Sequence, residues 1–242
     1  MLKKFLYTLW IILFAIFIFL CLKNESFVSF INSMENSTFD LRQKLIVNSG
    51  HRQHNKNIVI VAIDDASYEY ILDNYGEWPL RRDIYAKMID YIEAQNPKSI
   101  AFDLMFVKSM KSDPKSDQAL INAFKKYKNV YTAMNLDNQP EDLRIPAKLS
   151  DKLSVNFYNS EKFSTLEYSN CRSIIQGILD ATSNIGFINV SRYDDGVLRK
   201  MPVFLKYKNK YYPQLGVLVG TNYLDINIKN ASFEDNKLLI KG

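Results

Sequence analysis

Three aspartates stand where the sequence predicts the ends of strands. Asp64 and Asp65 follow the apolar run NIVIVAI (57–63), and Asp103 lies in a second apolar run, KSIAFDLMF (98–106). If these runs form neighbouring parallel strands, the carboxylates meet at the sheet edge where open α/β folds bind ligands. Carboxylates in that position hold hard cations such as Mg²⁺ or Ca²⁺, or grip an amine. In the alternative interpretation, Asp64 or Asp65 caps the helix predicted over 66–73, and Asp103 pairs with an arginine.

Two further side chains follow the aspartate pair closely enough to share a site with it. Trp78 offers a broad apolar face in a loop stiffened by Pro79, and Arg82 begins the next predicted helix, from which it could meet Asp65 or Asp103. We expect one pocket with more negative than positive charge, and hence a cationic ligand or a divalent metal. In the alternative, Trp78 is a plug that closes the sheet edge. The predicted ligand-binding residues are Asp64, Asp65, Trp78, Arg82 and Asp103, and the metal candidates are the three aspartates.

Catalytic signatures are missing from the sequence. It contains no nucleophile elbow, P-loop, glycine-rich dinucleotide turn or His/Cys pair with metal-ligand spacing. His51 and His54 lie together in a polar linker and are typical of solvated loop residues. We therefore expect no catalytic residue and no cofactor beyond a possible divalent cation.

Short apolar runs alternate with helical patterns, which predicts an α/β fold with a largely parallel or mixed sheet covered by helices. The stretch 137–183 has few periodic runs and predicts a long surface excursion with one short helix near 173–180. The predicted strands are 57–63, 98–106, 129–134, 185–190, 198–207 and the closing NKLLIKG; the predicted helices are 66–73, 83–94, 117–127 and 213–224, with turns at 194–196 and 208–210.

Composition excludes several classes of protein. The 242 residues are 47% hydrophobic, which is ordinary for a globular protein with a core and argues against disorder. The net charge of +5 is spread along the chain without a block of basic residues, so we expect no nucleic-acid partner. Cys21 lies in an apolar run and Cys171 stands alone in a polar region, so an internal disulfide is not expected.

The N-terminus predicts a membrane anchor. Residues 5–22 carry no charge over eighteen positions, about the ~18–20 residues that a helix needs to cross a bilayer. A cleaved signal peptide is the alternative, but the run is long for one and ends without a small-x-small cleavage site. Lys3 and Lys4 precede the run and favour a cytoplasmic N-terminus. We therefore expect one span in a cell membrane, with the bulk of the chain outside the cytoplasm.

A heptad-like stripe follows the predicted span. Its members alternate at spacings of four and three residues, as in a coiled-coil seam. One interpretation is a stalk that pairs with a second copy; the other is an amphipathic helix that lies on the chain's own globular domain. The resulting domains are an anchor (1–23), a stalk and linker (24–50) and a globular domain (51–242). The stripe consists of Phe27, Ile31, Met34, Thr38, Leu41 and Leu45.

Four motifs together resemble one known family. An Asp-rich end of the first strand is followed by GEWPLRR (76–82), by a strand ending in Phe-Asp (102–103) and by DGVLR (195–199). This combination resembles the CHASE2 domain, an extracytoplasmic sensory module of bacterial signalling proteins, over residues 38–225. The chain departs from the family pattern at Leu80 and Arg81, where a second Trp and Pro are typical.

The resemblance implies an output as well as a sensor. CHASE2 domains are coupled to nucleotide cyclases or to histidine or serine/threonine kinases, so this chain is expected to be part of a longer protein. The first hypothesis is a membrane-anchored sensor, not an enzyme in this segment, that binds a small molecule or ion and works as a homodimer through its stalk. The alternatives are a membrane-tethered metal-dependent hydrolase that uses the three aspartates, and a structural module for envelope assembly.

Overall fold

The computed structural model describes residues 2–50, 55–76, 78–138, 151–190, 195–235 and 237–240. The chain divides into an N-terminal unit, Met1–Ile63, and a C-terminal unit, Asp64–Gly242. Several sequence predictions fall outside the described residues: the two linker histidines (51 and 54), position 194 of the predicted turn, and 139–150 of the predicted excursion.

Two helices make up most of the N-terminal unit. Helix α1 spans Leu2–Lys23 and helix α2 spans Glu25–Asn48, and Asn24 between them caps α2 by accepting the Phe27 N–H at 3.1 Å. Within α1, Leu6–Lys23 has a mean hydropathy of 2.4 and buries no residue. Among the described residues it is the one helix long and apolar enough to cross a membrane.

Helix α2 buries none of its residues. The apolar members of its heptad stripe are all exposed, although a surface helix of a globular protein ordinarily buries such a stripe. These exposed side chains are Phe27, Ile31, Met34, Leu41 and Leu45.

The C-terminal unit is built on a mixed sheet. Strand β2 runs parallel to β1 on one side and parallel to β5 on the other, with Ile100 opposite Val130 and Thr132 opposite Ile185. The last residues of β2 pair antiparallel with β4. A second sheet has the order β3-β6-β7, and β8 and β9 form a hairpin. The strands are β1 Ile100–Phe102, β2 Val130–Asp137, β3 Glu167–Tyr168, β4 Asn170–Arg172, β5 Ile185–Phe187, β6 Phe204–Tyr207, β7 Lys210–Pro213, β8 Ala231–Glu234 and β9 Lys237–Ile240.

Helices cover both faces of the first sheet. Helices α4, α5 and α6 pack side by side over the main core, while α7 covers Tyr131 and Ala133 on the opposite face. Helix α7 approaches β5 so closely that a Cβ on Gly186 would lie 2.4 Å from the Leu215 Cα. The helices are α3 Asp65–Tyr75, α4 Arg82–Glu93, α5 Pro114–Lys126, α6 Gln176–Ala181 and α7 Leu215–Tyr223, with 3-10 turns at Ser160–Lys162 and Ile228–Asn230.

This architecture confirms the α/β prediction and the alternation of strands and helices between residues 65 and 137. Local signals explain the helix boundaries. Helix α5 begins with Asp113, which accepts the Ser116 N–H, and with Pro114 in its first turn. Helix α3 ends at Gly76, whose φ of 72° is a left-handed conformation that glycine adopts without strain.

The strand predicted over 57–63 is wrong. These residues belong to no sheet of the described chain, and Ile58, Val59, Ile60, Val61 and Ile63 are 36–85% exposed. An apolar run has a tendency to form a strand, but the strand exists only where its backbone N–H and C=O groups find a partner. The run therefore remains outside the sheets of the described chain.

Two further predictions need correction. The strand predicted over 198–207 is formed only at Phe204–Tyr207, because Pro202 has no N–H to donate to a ladder. The stretch 137–183, expected to contain only a short helix, also contributes β3 and β4. In β4, Cys171 pairs with Leu136 of β2 and is buried. The polar residues around Cys171 gave no strand pattern in the sequence, although this strand belongs to the first sheet.

Candidate functional site

Asp64 is the N-cap of helix α3. Its carboxylate accepts the Ser67 N–H at 2.9 Å and the Ser67 hydroxyl at 2.7 Å. The hydroxyl bond and the backbone bond hold the pKa of the Asp64 carboxyl below its usual range. Asp65, in the first turn, is exposed. The capping alternative is therefore what the structure shows for Asp64.

Trp78 lies on the surface of the C-terminal unit. Its ring meets Tyr68 of α3 edge-on, with 5.6 Å between ring centroids and 72° between the ring planes. Trp78 is 41% exposed, so it does not close the sheet edge as a buried plug. Leu80, two residues on, is buried in the main core and anchors this loop. Asp65 and Tyr68 are three residues apart on α3 and are therefore neighbours on its surface. The Asp65 carboxylate thus lies beside the aromatic pair of Tyr68 and Trp78.

Arg82 does not meet Asp65 or Asp103, as the sequence led us to expect. Its Nε lies 3.2 Å from Oδ1 of Asp117, and the two side chains are only 12% and 10% exposed. Its Nη2 donates to the Lys108 carbonyl at 2.5 Å, and its guanidinium lies 5.5 Å from the centre of the Phe106 ring. Arg82 is thus occupied by internal partners.

Asp103 follows β1 and is exposed. Within the described part of the chain its carboxylate has no hydrogen bond or ion pair, so the expected arginine partner is not formed. Nor are the three aspartates gathered: across the described residues, no three His, Cys, Asp or Glu side chains lie close enough to hold a metal ion. Arg82 is held by other partners and Asp64 by its cap, and the binding roles of Asp65, Trp78 and Asp103 stay predictions.

A polar network joins the start of α4 to the start of α5. Asp83 donates its N–H to the Ser116 hydroxyl at 2.9 Å, and Arg81 lies within 3.2 Å of both Asp83 and Asp113. Burial acts to raise the pKa of the Asp83 carboxyl, but hydrogen bonds from Arg81 and Ser116, together with the positive charges of Arg81 and Lys87, outweigh burial and lower it. Helix α5 starts on the side where β1 ends, because it crosses from β1 to its parallel neighbour β2. The contacts of Arg81 and Asp83 place the start of α4 beside it.

Two open depressions lie on the described surface at other residues. One, of about 250 Å³, is a groove between α4 and α5 that includes Asp90 and Lys126. A second, of about 460 Å³, lies between Tyr158–Lys162 and Phe233–Asp235. Neither contains any of the five predicted ligand-binding residues.

The CHASE2 domain family matches residues 11–241. The chain belongs to the CHASE2 family. Among curated proteins and among solved structures, no significant match is found. CHASE2 domains are extracytoplasmic sensory domains and are not catalytic. The sequence resemblance is thereby confirmed, and the family agrees with the apolar N-terminal helix as a candidate membrane anchor.

The CHASE2 motif residues have structural partners in this chain. Arg199 makes a two-pronged ion pair with Asp195, at 3.0 Å and 2.7 Å, and the Arg199 side chain is 5% exposed. Gly196 between them has a φ of 77°, which favours glycine. The DGVLR motif thus forms a turn in which the buried Arg199 guanidinium pairs with Asp195.

Sequence reasoning missed Asp113, Ser116 and Asp117 as partners of the GEWPLRR motif. Their signal was present in part, since Asp113 before Pro114 is a helix-start pattern. Nothing in the spacing indicated that Asp117, 35 positions after Arg82, would reach it. In this CHASE2 domain, Arg82 of the motif is buried and makes structural contacts.

Proposed function

We propose that this chain is a membrane-anchored CHASE2 sensor. Its C-terminal unit binds a small ligand outside the cytoplasm, and its stalk passes the change across the membrane to a cytoplasmic output such as a nucleotide cyclase or a kinase. The observation that carries the proposal is the exposed apolar stripe of α2, which follows the candidate span Leu6–Lys23 after a single capping residue.

The ligand proposed for this sensor is a small cation. Asp65 and Asp103 are exposed carboxylates without a partner among the described side chains. Tyr68 lies beside Asp65 on α3 and supports the exposed ring of Trp78. Aromatic faces attract organic cations, and carboxylates add charge. An amine fits this chemistry better than a metal, because the described aspartates are not clustered.

The stalk is proposed to pair with a second copy of the chain. A stripe of five large apolar side chains left in water on one helix is unfavourable, since each buried side chain of this size gains roughly 1.5–3 kcal/mol. A parallel two-stranded coiled coil buries such a seam and places both copies around one two-fold axis. A change in pairing at the stalk then reaches both membrane helices together.

Cysteine cross-linking tests the stalk in the full chain. In a Cys21→Ala background, Met34→Cys is compared with Asn36→Cys, two residues further on and therefore on the opposite side of the helix. We expect disulfide-linked dimers from position 34 and few from position 36 in native membranes. Equal cross-linking at both positions would reject the seam and favour a module for envelope assembly without a signalling stalk.

A further inference from the structure

The connection between β1 and α5, residues 103–113, is a strap held at every second residue from 104 to 110. The first two tethers are neutral: the Thr132 hydroxyl donates to the Leu104 carbonyl at 3.1 Å, and the Ile175 N–H donates to the Phe106 carbonyl at 2.8 Å. These bonds fix the half of the strap that leaves β1. Asp103, the first residue of the strap, is exposed.

The other half of the strap depends on one buried ion pair. Arg82 Nη2 donates to the Lys108 carbonyl at 2.5 Å, and the Met110 N–H donates to Asp117 Oδ2 at 2.8 Å. The two charged side chains lie 3.2 Å apart and are about nine-tenths buried. Their facing atoms, Arg82 Nε and Asp117 Oδ1, have no hydrogen bond among the described atoms, so the geometry of the pair is set by what each grips in the strap.

We propose that Arg82 and Asp117 are positioning residues that lock the strap, and that the locked strap links Asp103 mechanically to the starts of α4 and α5. The inference deepens the proposed sensor function and rests on it. Arg82 belongs to α4 and Asp117 to α5, so each grips the strap from a different helix. The lock therefore ties the strap that begins at Asp103 to both helices.

The arrangement assigns Arg82 a role different from direct ligand contact. A guanidinium that is 12% exposed and pairs with Asp117, a carbonyl and a ring face has little capacity left for a ligand. Arginine suits this position because its rigid planar guanidinium donates a hydrogen bond to a carbonyl while its charge faces a carboxylate, which a lysine ammonium on its flexible stem does less well. Removing either partner leaves the other as a buried uncompensated charge.

Amide hydrogen exchange on the full chain tests the lock. In Arg82→Gln and Asp117→Asn we expect amides of residues 107–111 to exchange at least about tenfold faster, the effect of losing a hydrogen bond to a charged group. Amides of β2 (Val130–Asp137) report on global opening and should accelerate as well, because either variant leaves a buried charge uncompensated. Leu205→Ala truncates a fully buried side chain of β6 and lowers global stability without touching the strap, so it should accelerate the β2 amides and leave those of residues 107–111 unchanged. Arg82→Lys, which keeps the charge and loses the fork, should give an intermediate acceleration of residues 107–111.

The matched control is Lys126→Gln. This substitution removes an exposed ion pair between the same two helices, Lys126 with Asp90, and should accelerate neither set of amides. Acceleration of residues 107–111 in Leu205→Ala as large as in Arg82→Gln would show that Arg82 and Asp117 act on the strap only through global stability, and would overturn the proposal. Unchanged exchange of residues 107–111 in Arg82→Gln and Asp117→Asn would overturn it as well. The stalk cross-link does not involve the strap, so failure of the sensor proposal is recognised separately.

Discussion

At the scale of single residues, the three aspartates have separate roles. Asp64 caps α3, whereas Asp65 and Asp103 are exposed. The cap could be anticipated from the sequence, because an aspartate just before a helical pattern is a strong N-cap signal. The partner of Arg82 could not, because long-range pairing depends on how α4 and α5 pack, and that packing is set by their apolar faces.

Substitution of the aspartates tests this division. Asp64→Ala should lower the melting temperature, and Asp64→Asn should largely restore it, because asparagine also caps helices well. Asp103→Asn should leave melting unchanged without ligand but remove any stabilisation by an added amine. Thermal unfolding of the full chain with and without the amine is the measurement. Greater loss of stability in Asp103→Asn than in Asp64→Ala would contradict the assignment.

The Asp64 cap predicts that the stability of the fold depends on pH. The pKa of the Asp64 carboxyl is lower in the folded protein than in an ordinary chain, so its stabilising effect is fully present above the unfolded pKa of about 3.9. The effect is lost as pH falls through the folded pKa. The melting temperature of the wild type should therefore drop more between pH 7 and pH 3 than that of Asp64→Asn.

At the scale of elements, the helices of the C-terminal unit follow from their sequences better than the strands do. Helices α4 and α5 carry apolar stripes and, in α5, a capping signal, which are local features. Strand β4 and the segment 57–63 are decided by partners elsewhere in the chain. A polar stretch became a strand where β2 offered an edge, and an apolar run remained outside the sheets.

The segment 57–63 gives a direct test of its exposure. Val59 and Val61 are more than 70% exposed, so Val59→Lys and Val61→Lys should change the free energy of unfolding by less than about 0.5 kcal/mol. The control is Val130→Lys, which places a charge at a fully buried position of β2 and should prevent stable folding. Urea unfolding followed by circular dichroism compares the three. Strong destabilisation by either exposed substitution would show that the segment is buried.

At the scale of the whole molecule, the family match over residues 11–241 includes the second half of the apolar helix α1, helix α2 and nearly all of the C-terminal unit. Length, hydropathy and motif order in the sequence were enough to recognise the family. They were not enough to place a ligand, because the internal partner of Arg82 could not be predicted and neither of the two open depressions contains any of the five predicted ligand-binding residues. The proposed sensor function therefore rests more on family membership than on the geometry of the site.

The natural cysteines are unsuitable as topology probes. Cys171 is 1% exposed, and burial raises the pKa of its thiol, so it stays protonated and unreactive at neutral pH. Cys21 lies in the candidate span. An exposed residue of the C-terminal unit is needed instead. Tyr158 is exposed and lies close to the 3-10 turn Ser160–Lys162.

The central claim is that the C-terminal unit lies outside the cytoplasm, and labelling of Tyr158→Cys with a membrane-impermeant maleimide tests it most directly. The chain carries Cys21→Ala and is labelled in intact spheroplasts and after lysis, and the parent chain without the Tyr158 substitution gives the background. We predict that the thiol at position 158 is labelled as fully in intact spheroplasts as after lysis. Labelling that appears only after lysis would contradict the account, because it would place the sensor unit inside the cell.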